Sequence, residues 1–166
     1  ALGQVFTSSL VLRSLGDSPA SVDVYASPSG SDGNLDAVRA RVEVPAAGTV
    51  LLDEALPVLF GEADGAAHLE VRSSSMLAIR SVVTGTSPTG GRFSAEIPVV
   101  AAGEGTGAGT WPLLLPGLKV TQAVRCNLVL AETTGRSTRV ALRLFDASGR
   151  ALGRGEFFVP AWGNTQ

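Results

Sequence analysis

The sequence predicts an all-β protein: an antiparallel β-sandwich followed by an incomplete second copy of the same unit. Three observations carry this expectation. Apolar and polar residues alternate with period two, as in Val38-Arg39-Ala40-Arg41-Val42-Glu43-Val44, while helical periodicity is nearly absent. Gly, Pro, Ser and Asp interrupt the alternation every ~8 to 12 residues, the spacing of short strands joined by tight turns. Finally, part of the chain is said twice. Ser9-Leu10-Val11-Leu12, then Val22 and Val24, then Val44-Pro45-Ala46-Ala47-Gly48 return as Asn127-Leu128-Val129-Leu130, Val140 and Leu142, and Val159-Pro160-Ala161-Trp162-Gly163. The copies lie 118 residues apart through the first two strands and 115 apart afterwards, because the turn Ser29 to Asn34 shortens to Ser148-Gly149. A length change confined to a loop is what a structural repeat predicts.

Taken in order, the pattern places strands near 4–13, 20–27, 37–44, 48–52, 66–72, 76–84 and 92–99. Asp17-Ser18-Pro19, Ser29 to Gly33, Ala46-Ala47-Gly48, Asp64-Gly65 and Gly90-Gly91 supply the turn chemistry between them. Seven strands fit an immunoglobulin-like count. One helical turn is expected from Asp53 to Phe60, with Asp53 as its cap, Leu56, Leu59 and Phe60 on one side, and Gly61 as its stop. Residues 1–100 thus read as a complete module, and the Gly-rich stretch within 101–112 as a flexible linker. Residues 113–166 read as a partial repeat that packs on the first module or on a neighbouring chain. Trp111-Pro112-Leu113-Leu114-Leu115-Pro116-Gly117-Leu118 suits an extended segment laid over an apolar surface, and strands resume near 121–131, 137–146, 151–160 and from 163.

Composition narrows the function. With 166 residues, 45% of them hydrophobic, the chain has material for one sizeable core or two small ones. The net charge is −2, Lys119 is the only lysine, and the arginines stand singly on outward strand positions. Nucleic-acid binding needs clustered positive charge, so it is not expected. No apolar run reaches the length of a membrane helix. Cys126 is the only cysteine, so no internal disulfide forms, and its alternation with Val124 and Leu128 reads as a small buried hydrophobe. The chain opens at Ala1 with no leader pattern, as a processed form or a piece of a longer protein would, and both leave secretion open.

Few side chains offer chemistry. The only histidine, His68, shares a strand face with Glu70 and Arg72, and no Gly-x-Ser-x-Gly elbow surrounds any serine. The Gly-rich stretch lacks the Lys-Ser or Lys-Thr of a phosphate loop. Asp32, Asn34 and Asp36 begin as a calcium loop begins, with Glu43 at the twelfth position, which makes them the metal candidate. Against calcium, Ala37 stands where such a loop needs glycine, and the strand from Val38 carries Glu43 away; a plain Asp-Gly-Asn hairpin loop is the competing reading. Glu62 and Asp64, close in sequence to Asp53 and Glu54, are a pair of carboxylates with nothing to fix their separation for glycoside hydrolysis. Trp111 and Trp162 are the candidate sugar platforms, each beside a Pro or Gly at a strand end.

Phe6-Thr7-x-x-Leu10-Val11-Leu12, Ser18-Pro19-Ala20-x-Val22, Val44-Pro45-Ala46-Ala47-Gly48, Leu52-Asp53 and Leu59-Phe60-Gly61 together resemble β-sandwich modules found in tandem in secreted and cell-surface bacterial proteins. The resemblance covers residues 5–98 and, more weakly, 122–166, and it describes strand ends and turns. It implies an extracellular or surface, non-enzymatic, immunoglobulin-like module and transfers no catalytic residue. The expected role is a structural or interaction module whose partner is protein, either a second copy or a neighbouring module of the same polypeptide. The alternative is a glycan- or calcium-binding accessory module of a secreted protein. No other cofactor is expected.

Overall fold

In the computed structural model the described residues are 5–61, 65–107, 109, 112–118, 126 and 128–166. They form two compact units, one of Ala1–Ala26 with Ala37–Val99, the other of Ser27–Asp36 with Val100–Gln166.

The first unit holds seven strands: β1 (Val5–Ser14), β2 (Ala20–Pro28, which runs on into the second unit), β3 (Val38–Val44), β4 (Thr49–Leu52), β5 (Ala67–Ser73), β6 (Leu77–Thr86) and β7 (Arg92–Ile97). One sheet has the order β4-β1-β6-β7 and the other β3-β2-β5. The alternation seen in sequence becomes an inside and an outside. Leu10 and Leu12 of β1 are buried with Ala20, Val22, Val24, Val42 and Val44 of the other sheet, and Val50, Leu52, Val71, Leu77 and Ile79 pack around them. Full burial of such a Val or Leu contributes about 1.5–3 kcal/mol, so these two facing stripes are the principal source of stability in the unit.

A helix of one and a half turns, α2 (Ala55–Phe60), sets the buried Ala55 and the flanking Leu59 and Phe60 against this core. It follows the four-residue α1 (Gly33–Asp36) of the second unit in chain order. The expectation that Asp53 caps α2 is corrected: Glu54 precedes the helix in a left-handed conformation (φ 52°) and makes no side-chain cap. The Asp53 carboxylate is instead engaged by β1, accepting a 2.6 Å hydrogen bond from the Ser9 hydroxyl. Gly61 ends the helix as expected, at φ 72°, donating its N–H to the Pro57 carbonyl.

The second unit contains the hairpin β9 (Thr138–Phe145) with β10 (Ala151–Val159), and the short pair β8 (Leu130–Ala131) with β11 (Asn164–Thr165). Its registers follow those of the first unit position for position under the sequence offsets. Ala20↔Val44, Val22↔Val42 and Val24↔Ala40 answer to Thr138↔Val159, Val140↔Phe157 and Leu142↔Gly155. Arg13↔Thr49 and Leu12↔Val50 answer to Ala131↔Asn164 and Leu130↔Thr165. The corner after each hairpin agrees as well. Ala47 and Trp162 both have positive φ (50° and 44°), and the following glycines, Gly48 and Gly163, donate to Pro45 and Pro160 respectively. Ser14 donates its N–H to the Gly48 carbonyl at 3.0 Å, and Glu132 does the same to Gly163 at 2.9 Å.

In the Gly-rich segment Gly103 donates to the Thr133 carbonyl and the Thr133 hydroxyl donates to the Glu104 carbonyl, each at 2.9 Å, within the second unit. One expectation meets a correction here. The proline-bracketed leucines were expected to lie on an apolar surface, but Leu113, Leu114, Leu115 and Leu118 are exposed.

Candidate functional site

The proposed metal ligands sit in the loop that leaves β2. Asp32 accepts the Asn34 N–H on its carboxylate at 2.9 Å and the Leu35 and Asp36 N–H groups on its carbonyl, which makes α1 a locally capped turn. The Asn34 amide donates to the Gly135 carbonyl at 3.3 Å, and Asp36 is exposed. Glu43 lies far along β3, paired with Ser21. Among the described residues no three His, Cys, Asp or Glu side chains are gathered so as to hold a metal. The Asp32 and Asn34 side chains are thus engaged with the chain itself.

That engagement has a centre that sequence reasoning missed. Glu132, at the end of β8, is buried with only 6% of its surface exposed. Its carboxylate accepts hydrogen bonds from the N–H groups of Thr134 (2.7 Å), Gly135 (2.7 Å), Arg136 (3.2 Å) and Trp162 (3.1 Å), and from the Thr134 hydroxyl. Burial pushes its pKa up, but the Thr134 hydroxyl and the Trp162, Thr134 and Gly135 amides outweigh that and hold the carboxyl below its ordinary value. A buried anion is satisfied here by neutral donors alone. Around it the main chains approach closely. Gly33 donates to the Ala161 carbonyl at 2.8 Å and Gly30 to that of Asn164 at 2.9 Å. A Cβ on Gly33 would run into Trp162 and the Ser27 hydroxyl, and one on Gly135 into the Trp162 indole. Trp162 is therefore a packing element of this corner, half-buried among loop backbones.

The arginines of the first unit keep company on its outer face. Asp23 lies between Arg39 and Arg41, with contacts of 2.7 and 2.9 Å, and these two guanidiniums lower its pKa to about 2. Arg72 pairs with Glu70 at 2.6 Å and stacks 4.5 Å from the centre of the Tyr25 ring. His68 is half-buried in β5 beside these residues in sequence. In the second unit Asp146 closes the β9–β10 turn, its carboxylate taking the Ser148 and Arg150 N–H groups at 3.0 Å and the Ser148 hydroxyl at 2.6 Å. The Ser148 hydroxyl and the Arg150 N–H are the leading causes of its lowered pKa.

A polar hollow of about 390 Å³ lies in the first unit, lined by Ser21, Asp23, Arg41, Arg72, Ser73 and Ser74. Cys126, Leu128, Leu130, Leu142, Phe157, Thr165 and Gln166 line an open hollow of about 400 Å³ in the second unit, its wall part polar and part apolar. Cys126 was expected to be buried and is exposed, because the wall it belongs to faces this open hollow. The first-unit counterparts Leu10, Leu12, Val24 and Val42 are all buried. In the second unit Leu128, Leu130 and Leu142 are half-buried and Phe157 is 42% exposed. Glu62, Asp64 and Trp111, the remaining carboxylate and platform candidates, lie outside the described residues.

No family model, curated protein or solved structure matches the chain. The geometry therefore stands alone. The 118-residue offset of the sequence match sets Glu132 against Ser14, which is buried, and a carboxylate at such a position must find donors.

Proposed function

We propose that this chain is a non-enzymatic structural or interaction module of a bacterial extracellular, cell-surface or appendage protein. In this reading an immunoglobulin-like β-sandwich is followed by a partial second copy of the same unit, and assembly runs through open sheet edges. The observation that carries the reading is the agreement of strand registers, corner φ values and corner hydrogen bonds between the two units. Alternation of Val and Leu is easily matched by chance; a shared register with a shared left-handed corner is not. Support for a scaffolding role comes from the charged groups, since Asp23, Glu70, Glu132 and Asp146 spend their acceptors on neighbouring arginines, hydroxyls and backbone. Support for assembly comes from β7, a sheet-edge strand exposed along its whole length with Phe93 and Ile97 among its residues. An exposed strand edge is a template for another strand. Among the described residues no helix is long and apolar enough to cross a membrane.

Light scattering across a concentration series tests the assembly. Growth of mass with concentration, suppressed by Ile97→Lys on the β7 edge, is the expected outcome; a monomer at every concentration would remove assembly from the reading.

A further inference from the structure

The edge strand β7 reads Arg92-Phe93-Ser94-Ala95-Glu96-Ile97, and all six of its residues are exposed. It ends the order β4-β1-β6-β7 and runs antiparallel to β6, with Gly85 opposite Phe93, Val83 opposite Ala95 and Ser81 opposite Ile97. These pairs continue the row of β1 that holds Phe6, Leu10 and Leu12, so Phe93, Ala95 and Ile97 lie on the core-side face of the sheet. The Phe6 and Phe93 rings meet edge to face at 6.0 Å across Gly85, where a Cβ would strike the Phe93 ring. Arg92, Ser94 and Glu96 occupy the opposite face. There Glu96 pairs with Arg80 of β6 at 3.3 Å and the Ser94 hydroxyl is bonded to that of Thr84.

The same alternation sorts the backbone. At the turn Ser87 donates its N–H to the Gly91 carbonyl, so residues 91, 93, 95 and 97 direct their main-chain groups at β6. The N–H and C=O groups of Arg92, Ser94 and Glu96 point the other way, along the exposed edge.

Resting on the proposed assembly through open sheet edges, we infer that the occupant of this edge is β7 of a second copy of the chain, paired antiparallel about a twofold axis through Ser94. Ser94 then faces Ser94, and Arg92 of each copy faces Glu96 of the other. This register brings all three outward-pointing residues of each strand into hydrogen-bonded pairs and sets unlike charges opposite one another at both ends. A shift of two residues one way puts Pro98, which has no N–H, on the bonding edge opposite Arg92; the other way, Glu96 runs off the strand against Gly90. A shift of four sets Arg92 against Arg92 or Glu96 against Glu96. On the core-side face Phe93 of one copy lies opposite Ala95 of the other, large against small, and Ile97 lies opposite Gly91.

Charge reversal tests this register, because Arg92 and Glu96 are both exposed. Light scattering across a concentration series is expected to show a mass that levels off at two chains, since a twofold pairing uses up the edge. Arg92→Glu alone sets glutamate against glutamate, and Glu96→Arg alone sets arginine against arginine. Each weakens the dimer by about tenfold or more, while circular dichroism confirms that the sheet content is kept. An equimolar mixture of the two variants recovers the dimer, because both glutamates of one then face both arginines of the other. A dimer that neither reversal weakens overturns the inference and leaves assembly through another edge standing. A mixture that stays as weak as its two components overturns it in the same way. A monomer at every concentration overturns it together with assembly.

Discussion

Asp23 and Glu132 are both carboxylates held ionised, by opposite means. Asp23 is on the surface between two guanidiniums, where solvent and salt weaken the attraction. Its pKa lies at about 2 in the fold against an ordinary 3.8, so its stabilising contribution is complete above 3.8 and is lost as pH falls through about 2. Thermal unfolding followed from pH 5 downward is therefore expected to show a fall in Tm across that window that Asp23→Asn flattens, with added salt shrinking the difference between the two proteins. Glu132 has no cation to lose. Glu132→Ala leaves the buried N–H groups of Thr134, Gly135, Arg136 and Trp162 without their acceptor, and an orphaned buried donor costs about 1–3 kcal/mol. Urea denaturation should register a loss of about 3 kcal/mol in the second unit, and amide exchange at those four positions should quicken more than in β1.

At the scale of elements, equivalent positions carry unequal weight. Leu12 is wholly buried between the two sheets, and Leu12→Ala is expected to cost about 2–5 kcal/mol by chemical denaturation. Leu130, its counterpart beside the open hollow, already faces solvent in part, and Leu130→Ala should cost under about 1 kcal/mol. A larger cost at Leu130 would mean that the hollow is covered in the unfolding experiment. The loop after β2 behaves differently again. Its closeness to the Pro160–Gly163 corner leaves no volume for a methyl group at Gly33, since the obstacle is the Trp162 main chain as well as its side chain. Gly33→Ala should destabilise the second unit by about 1–3 kcal/mol, and Trp162→Ala should not rescue it.

For the molecule as a whole, strands were legible because period two is written into Val38–Val44 and Ala20–Pro28 by residues that bury on one face and charge the other. The matching stretches Pro45–Gly48 and Pro160–Gly163 marked the corners too, and Ala47 and Trp162 both take positive φ there. What sequence could not show was ownership. Nothing in Ser27–Asp36 announces that it belongs with residues more than a hundred positions away, because the bonds that place it use backbone groups of Gly30 and Gly33 that every sequence possesses. Glu132 was hidden for the same reason, its partners being mostly amides. The hollow was invisible because Leu128, Leu130 and Leu142 read as core in any pattern.

The division of the chain also bears on how it would come apart. It passes between the units at Ala26–Ser27, at Asp36–Ala37 and at Val99–Val100, three crossings where a tandem array has one. A protease that cuts the Gly-rich stretch severs only the last of them. The fragment that begins the chain would still own the loop whose Gly30 and Gly33 amides are bonded to Asn164 and Ala161 of the other fragment. Nicked protein is expected to elute as one species in native size exclusion and to separate in urea, because the second unit is itself built from both fragments.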